Sequence, residues 1–187
     1  MIAEIAPAHP EADEIEVWFQ DESRIGQTGR TCHRWFEKGV RPRGRRDLRH
    51  EAVYLFGAVC PARDEAVALV LPHVSSEAMQ AMLDELSKAV QRNAHAVVIM
   101  DRAGWHRAND LVVPANLTLA FLPPYSPELN VIERVWLYLK ERYLSHCVWP
   151  DYDDILDAVC DAWNKLVTQP DRFRSLTAVD WLPSVKT

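Results

Sequence analysis

Val97-Val98-Ile99-Met100-Asp101-Arg102 decides how this chain is built. Residues 96–100 form a short, continuously apolar run, the pattern of a strand buried on both faces, and Asp101 is the first residue beyond it. Residues 117–122 repeat the pattern and stop at Pro123-Pro124. Before the first run, Met79, Met82, Leu83, Leu86 and Val90 recur at helical spacing behind a Ser75 or Ser76 cap, so a helix ending near Asn93 leads into the strand. Further upstream, residues 52–59 and 66–71 are apolar runs joined by Cys60-Pro61-Ala62-Arg63-Asp64-Glu65, a hairpin with a longer loop. Residues 14–20 read as an opening strand with Asp21 at its end, and Gly26-Gln27-Thr28-Gly29 as a turn before another strand near 31–36.

Downstream, Ser126 as cap, Pro127 at the first helical position and Glu128 in the first turn predict a helix. Its apolar stripe is Leu129, Ile132, Trp136, Leu139 and Tyr143, and Glu133 lies one turn in. Ile155, Val159, Trp163 and Leu166 mark a last helix over 153–167. Trp136 and Trp163, within these stripes, are expected in the core. The order of elements is that of an α/β domain with a mixed central sheet flanked by helices. A chain of 187 residues accommodates one such domain.

Composition is ordinary for a globular protein, 48% apolar and 26% charged, which excludes a disordered or fibrous chain. No run of about 18 apolar residues exists, so no membrane span is expected. The amino terminus lacks the basic start and apolar stretch of a secretory signal, so the expectation is a cytoplasmic protein. Cys32, Cys60, Cys147 and Cys160 are scattered without a Cys-x-x-Cys pair, which points to ordinary half-buried thiols rather than a disulfide framework or zinc ribbon.

A net charge of -6 speaks against a nucleic-acid partner until its distribution is considered. Residues 1–23 hold seven acidic side chains and no Lys or Arg, whereas residues 24–50 hold nine Lys and Arg against Glu37 and Asp47. The densest part, Lys38-Gly39-Val40-Arg41-Pro42-Arg43-Gly44-Arg45-Arg46, is also rich in Gly and Pro. It reads either as an exposed loop that follows a phosphate backbone or as a merely solvated charge run.

Asp21, Asp101 and Glu133 are candidate catalytic and metal-ligating residues. Two lie at predicted strand ends, where ligands gather in parallel α/β sheets, and the third lies on a following helix. Carboxylates in such positions make most sense when they converge on a shared cation. Three acidic residues suit Mg2+ or Mn2+, and a pair of such ions roughly 3.5 to 4 Å apart activates an attacking oxygen and stabilises the leaving one. Glu22, next to Asp21, should face the other side of the strand and serve a surface or salt-bridge role. His106 is either a substrate contact or a capping or packing histidine. Asn130 either orients Glu133 or makes a helix-start hydrogen bond. Trp105 is near enough to Asp101 to be a candidate for stacking on an unpaired base.

Several segments together resemble the bacterial insertion-sequence branch of the mariner-like DDE transposases. They are Gln20-Asp21-Glu22-Ser23 with Gly26, Trp35 with Gly39 and Pro42, Met100-Asp101-Arg102-Ala103-Gly104-Trp105-His106, and Leu122-Pro123-Pro124-Tyr125-Ser126-Pro127-Glu128-Leu129-Asn130 with Ile132-Glu133-Arg134-Val135-Trp136. The resemblance implies a ribonuclease H-like fold, metal-dependent DNA cleavage and strand transfer, and Asp21, Asp101 and Glu133 as the DDE triad. It implies a pair of Mg2+ or Mn2+ ions as cofactor, and double-stranded DNA, both transposon ends and target, as partner. Lys38, Arg41, Arg43, Arg45, Arg46, His106 and Asn130 are then the nucleic-acid-binding candidates. The segments divide the chain into an acidic linker (1–13), the catalytic domain (14–168) and a C-terminal tail (169–187). Family members usually carry a helix-turn-helix region that recognises transposon ends, which implies a separate DNA-binding chain or an N-terminal domain, and dimeric assembly on DNA. The alternatives are a catalytically silent relic that binds DNA or protein, and a ribonuclease H-like nuclease without strand transfer.

Overall fold

The computed structural model describes residues 8–10, 12–28, 37–40, 49–107, 111–145 and 147–180. Five strands, β1 (Glu14–Gly26), β2 (Ala52–Cys60), β3 (Glu65–Leu71), β4 (Ala94–Met100) and β5 (Leu117–Phe121), form one mixed sheet in the order β3-β2-β1-β4-β5. β1 pairs antiparallel with β2 and parallel with β4, so it is the seam between the hairpin half and the parallel half. β4 is buried along its whole length, as its unbroken apolar run requires.

Helices close both faces. α1 (Ser76–Ala89) starts where the Ser75 hydroxyl accepts from the Ala78 N–H at 3.1 Å, and it buries Met79, Met82, Leu83 and Leu86. These pack on Trp18, Phe56, Val98 and Met100. The opposite face is covered by α2 (Ile132–Arg142) and α3 (Tyr152–Val167), through Ile132, Val135, Trp136 and Leu139 from the first and Ile155, Val159, Trp163 and Leu166 from the second. α4 (Arg172–Leu176), in the segment read as a tail, adds the buried Phe173, whose ring lies 5.8 Å from Trp163. Among the described residues no helix is long and apolar enough to cross a membrane.

Three local expectations are corrected. β1 does not stop before Asp21; it runs on to Gly26, paired with β2 throughout. The polar run Asp21-Glu22-Ser23-Arg24 looks like a strand end, yet the ladder with residues 52–57 continues through it. Second, Ser126 does not cap a helix: its hydroxyl donates to the Pro124 carbonyl at 3.4 Å, and Pro127–Leu129 is a single 3-10 turn. Asn130 then takes an extended backbone (φ -95, ψ 100), so the α-helix begins only at Ile132 and Glu133 stands in its first turn. Third, Cys147 is exposed rather than half-buried; Cys60 is buried and Cys160 intermediate. The strand expected near 31–36, with Cys32, lies outside the described residues.

One glycine sets the packing of α2. Gly57 sits opposite Asp21 in the β1–β2 ladder, and a Cβ built there would meet Trp136 Cη2 at 2.5 Å. The missing side chain lets the indole lie on the sheet. Gly57→Ala is therefore expected to displace Trp136 and destabilise the fold by about 1 to 3 kcal/mol, read as a lower midpoint in urea denaturation.

Candidate active site

The parallel register of β1 and β4 builds the site. Pairing runs from Glu14 with Ala94 to Phe19 with Ile99, and two more residues in the same register bring Asp21 beside Asp101. Neighbouring strands lie about 4.8 Å apart, and residues two apart share a face, so both carboxylates belong to the face covered by α2. Glu133 arrives from the first turn of that helix. All three line one cavity of about 400 Å³, together with Arg102, Tyr125, Asn130 and the Leu122–Pro124 segment. Among the described residues no three His, Cys, Asp or Glu side chains are already drawn together closely enough to hold a metal ion. The carboxylates share a cavity rather than a point.

Each of the three is held differently. Asp21 is half-buried and accepts from the Trp136 indole N–H at 3.0 Å. Burial first, then the negative charges of Glu133 and Glu22, push its carboxyl up to about 7, against the lowering effect of hydrogen bonds from the Glu22 backbone N–H and the Trp136 indole. Asp101 is exposed, and its Oδ1 accepts from the Ala103 N–H at 2.8 Å and faces His106 Nδ1 at 2.8 Å. Glu133 is exposed, and its backbone N–H donates to the Asn130 carbonyl at 3.1 Å.

Asn130 ties this helix start to the sheet. It is buried, and its amide donates to the Gln20 carbonyl at 2.8 Å, while its Oδ1 is buried without a partner among the described residues. Tyr125 stands at the cavity rim with a left-handed backbone (φ 58) and a fully exposed ring. Arg102 donates from Nε to the Leu122 carbonyl at 3.0 Å, bracing the ends of β4 and β5.

His106 lies inside the protein, 1% exposed. It sits on a short 3-10 helix (Gly104–Arg107), and its Nε2 lies 2.8 Å from Glu22 Oε1. Glu22 also accepts from the Trp105 indole at 3.1 Å and from the Gln20 amide at 2.8 Å. Burial alone would lower the His106 pKa, but the Glu22 hydrogen bond and the charges of Glu22 and Asp101 outweigh it, and the net shift is upward. Nε2 hydrogen-bonds the Glu22 carboxylate, while Nδ1 hydrogen-bonds the Asp101 carbonyl oxygen at 3.3 Å and lies 2.8 Å from Asp101 Oδ1. Glu22 does face away from Asp21, and it is an ion-pair residue, but its side chain is only 8% exposed.

Of the other sequence candidates, Lys38 is exposed in a turn, and Arg41, Arg43, Arg45 and Arg46 lie outside the described residues. Sequence reasoning missed the Trp136 contact with Asp21. An isolated glycine at position 57 within an apolar strand run was the available signal, since such a glycine marks a close approach.

A mixed sheet in this order, flanked by helices, is the ribonuclease H-like fold. The family of DDE superfamily endonucleases matches residues 16–156, and the chain belongs to that family. A Sinorhizobium fredii protein named uncharacterized protein y4pE/y4sA is 50% identical over 128 residues, 68% of this chain and 95% of that one. Among solved structures, the Mos1 mariner paired-end complex with Mn superposes with a TM-score of 0.65 at 17% identity, covering 87% of this chain and 51% of that one. The Mos1 transposase paired-end complex with the left transposon end gives 0.64 at 17% identity, covering 94% and 54%. The chain thus spans about half the length of the Mos1 chains it resembles.

The Asp21 carboxyl gives a testable pH dependence. Its folded value, about 7, lies above the ordinary 3.8, so the folded state holds this proton more tightly than the unfolded chain. The stability it contributes is full below the unfolded value and is lost as pH rises through about 7. In chelator-treated protein, Asp21→Asn should lose less stability than wild type across that interval, measured by urea denaturation at a series of pH values.

Proposed function

We propose that this chain is the catalytic domain of a DNA transposase, cleaving and transferring DNA strands with Asp21, Asp101 and Glu133 as its metal-binding triad. The observation that carries the reading is the meeting of these three carboxylates on one cavity, contributed by β1, the end of β4 and the start of α2. The donor set fits a hard divalent cation. Oxygen ligands surround the cavity, Asp21 is pushed upward by burial and neighbouring negative charge, and the buried Asn130 Oδ1 is unpartnered among the described residues. Mos1 was solved with Mn. Asp21, Asp101 and Glu133 would hold Mg2+ or Mn2+ ions. When bound, the ions supply charge neutralisation for the in-line displacement at phosphorus and lower the pKa of an attacking water or 3'-hydroxyl.

The chain's own residues do the rest. Trp136 fixes the rotamer of Asp21, and Asn130 fixes the start of α2 against β1, which sets how far Glu133 stands from the strand carboxylates. The basic segment with Lys38, Arg41, Arg43, Arg45 and Arg46 supports the reading of double-stranded DNA as substrate. Recognition of transposon ends by a helix-turn-helix region and pairing of two copies on DNA belong to the same proposal.

Alanine at Asp21, Asp101 or Glu133 is expected to abolish Mn2+- or Mg2+-dependent nicking of duplex DNA while leaving the urea midpoint near or above that of wild type. Undiminished nicking by Asp101→Ala would sink the triad. Cleavage of an RNA–DNA hybrid without joining of DNA ends would move the reading to a ribonuclease. Neutralising Arg41, Arg43, Arg45 and Arg46 together should weaken DNA binding and flatten its salt dependence, by roughly 0.9 in log–log slope for each phosphate that is no longer neutralised. An unchanged slope would remove the segment from the interface.

A further inference from the structure

We infer that Glu22 and His106 are positioning residues that hold Asp101 from behind, so that one of its oxygens is fixed and the other is presented to the cavity. The inference rests on the triad reading above and deepens it. Asp101 follows the last residue of β4 and has an exposed side chain, which by itself would sample several rotamers. The structure removes that freedom on one side only. Oδ1 is engaged by the Ala103 N–H and by His106 Nδ1, both at 2.8 Å, while Oδ2 has no hydrogen-bonding partner among the described residues.

The tether is anchored across the sheet. Alternation along β1 puts Asp21 on the α2 face and Glu22 on the α1 face. The 3-10 helix Gly104–Arg107 carries His106 to the point where its two nitrogens span Glu22 and Asp101. Glu22 is in turn fixed by Trp105 and Gln20. The links from Trp105, Gln20 and His106 Nε2 to Glu22 are hydrogen bonds of 2.8 to 3.1 Å, whereas His106 Nδ1 meets Asp101 Oδ1 as an ion-pair contact at 2.8 Å and hydrogen-bonds the Asp101 carbonyl oxygen at 3.3 Å; the imidazole is buried. His106 thereby acts through Asp101, not on DNA. This is the arrangement in which an outer hydrogen-bonded group fixes a carboxylate's orientation before an ion arrives.

Two substitutions separate this role from packing. Asn has its amide nitrogen near the position of the histidine Nδ1, and Gln has its own near Nε2. His106→Asn therefore keeps a donor for Asp101 and loses Glu22, whereas His106→Gln keeps Glu22 and loses Asp101. Both remove the ring and its charge. Mn2+ binding, measured calorimetrically on protein whose folding has been checked by urea denaturation, is expected to stay within about threefold of wild type in His106→Asn. In His106→Gln it should weaken by roughly 10-fold or more. Glu22→Ala should weaken binding in the wild-type background by no more than the same roughly threefold margin and add nothing in the His106→Asn background, because Asn no longer reaches it. Equal Mn2+ affinity in the Asn and Gln variants, or loss that follows folding stability alone, overturns the positioning role while leaving the triad standing. Wild-type affinity in Asp101→Ala overturns both, and that control tells the two failures apart.

Discussion

Everything at the site hangs on the alignment of two parallel strands. β1 and β4 share a register in which Asp21 and Asp101 follow in step, and the pleat sends both to one face. A slip of one residue would move Asp21 to the α1 face and bury Glu22 beneath α2 instead. The register is protected by what flanks it. Trp18 and Phe19 are wholly buried on opposite faces of β1, and either would have to change faces if the strand moved. The apolar core and the acidic pair are therefore one constraint, since the alternation that fills the two cores also delivers the carboxylates.

Around that pair the structure arranges opposite treatments of acidic side chains. Glu16 is buried but fully compensated, by Arg63 at 2.8 Å, the Trp18 indole at 2.6 Å and the Gln91 N–H at 3.0 Å. Glu22 is likewise enclosed by Trp105, Gln20 and His106. Asp21 receives only neutral donors, the Glu22 backbone N–H and the Trp136 indole, and faces two like charges. Buried carboxylates with complete partners are structural; Asp21, left short of positive charge on the cavity wall, is set apart from them by its electrostatics.

Much of this was legible along the chain. The apolar run before Asp101, the helical spacing of Met79, Met82, Leu83 and Leu86, and the stripe of α3 each appear where periodicity predicts them. The three carboxylates that share the cavity were singled out from their local contexts. What could not be read depends on partners remote in sequence. Trp136 meets Asp21 across 115 residues and His106 meets Glu22 across 84, and neither pairing leaves a periodic trace. The polar stretch from Asp21 to Arg24 looked like a strand end because propensity sees only neighbours, whereas the ladder with β2 is supplied from residues 52–57. The start of α2 was displaced for the same reason: Asn130 answers a carbonyl on β1, not the cap rules of its own segment.

Tyr125 gives the rim of the cavity a further property. A bulky residue at φ 58 sits in a sparsely populated backbone region, between Pro124 and the Ser126-Pro127 step, with its ring fully in solvent. The prolines restrict the flanking backbone in the unfolded chain as well as the folded one. The backbone that carries the ring is consequently preorganised: its ordering was settled during folding, and little loop entropy is left to lose on contact with a ligand.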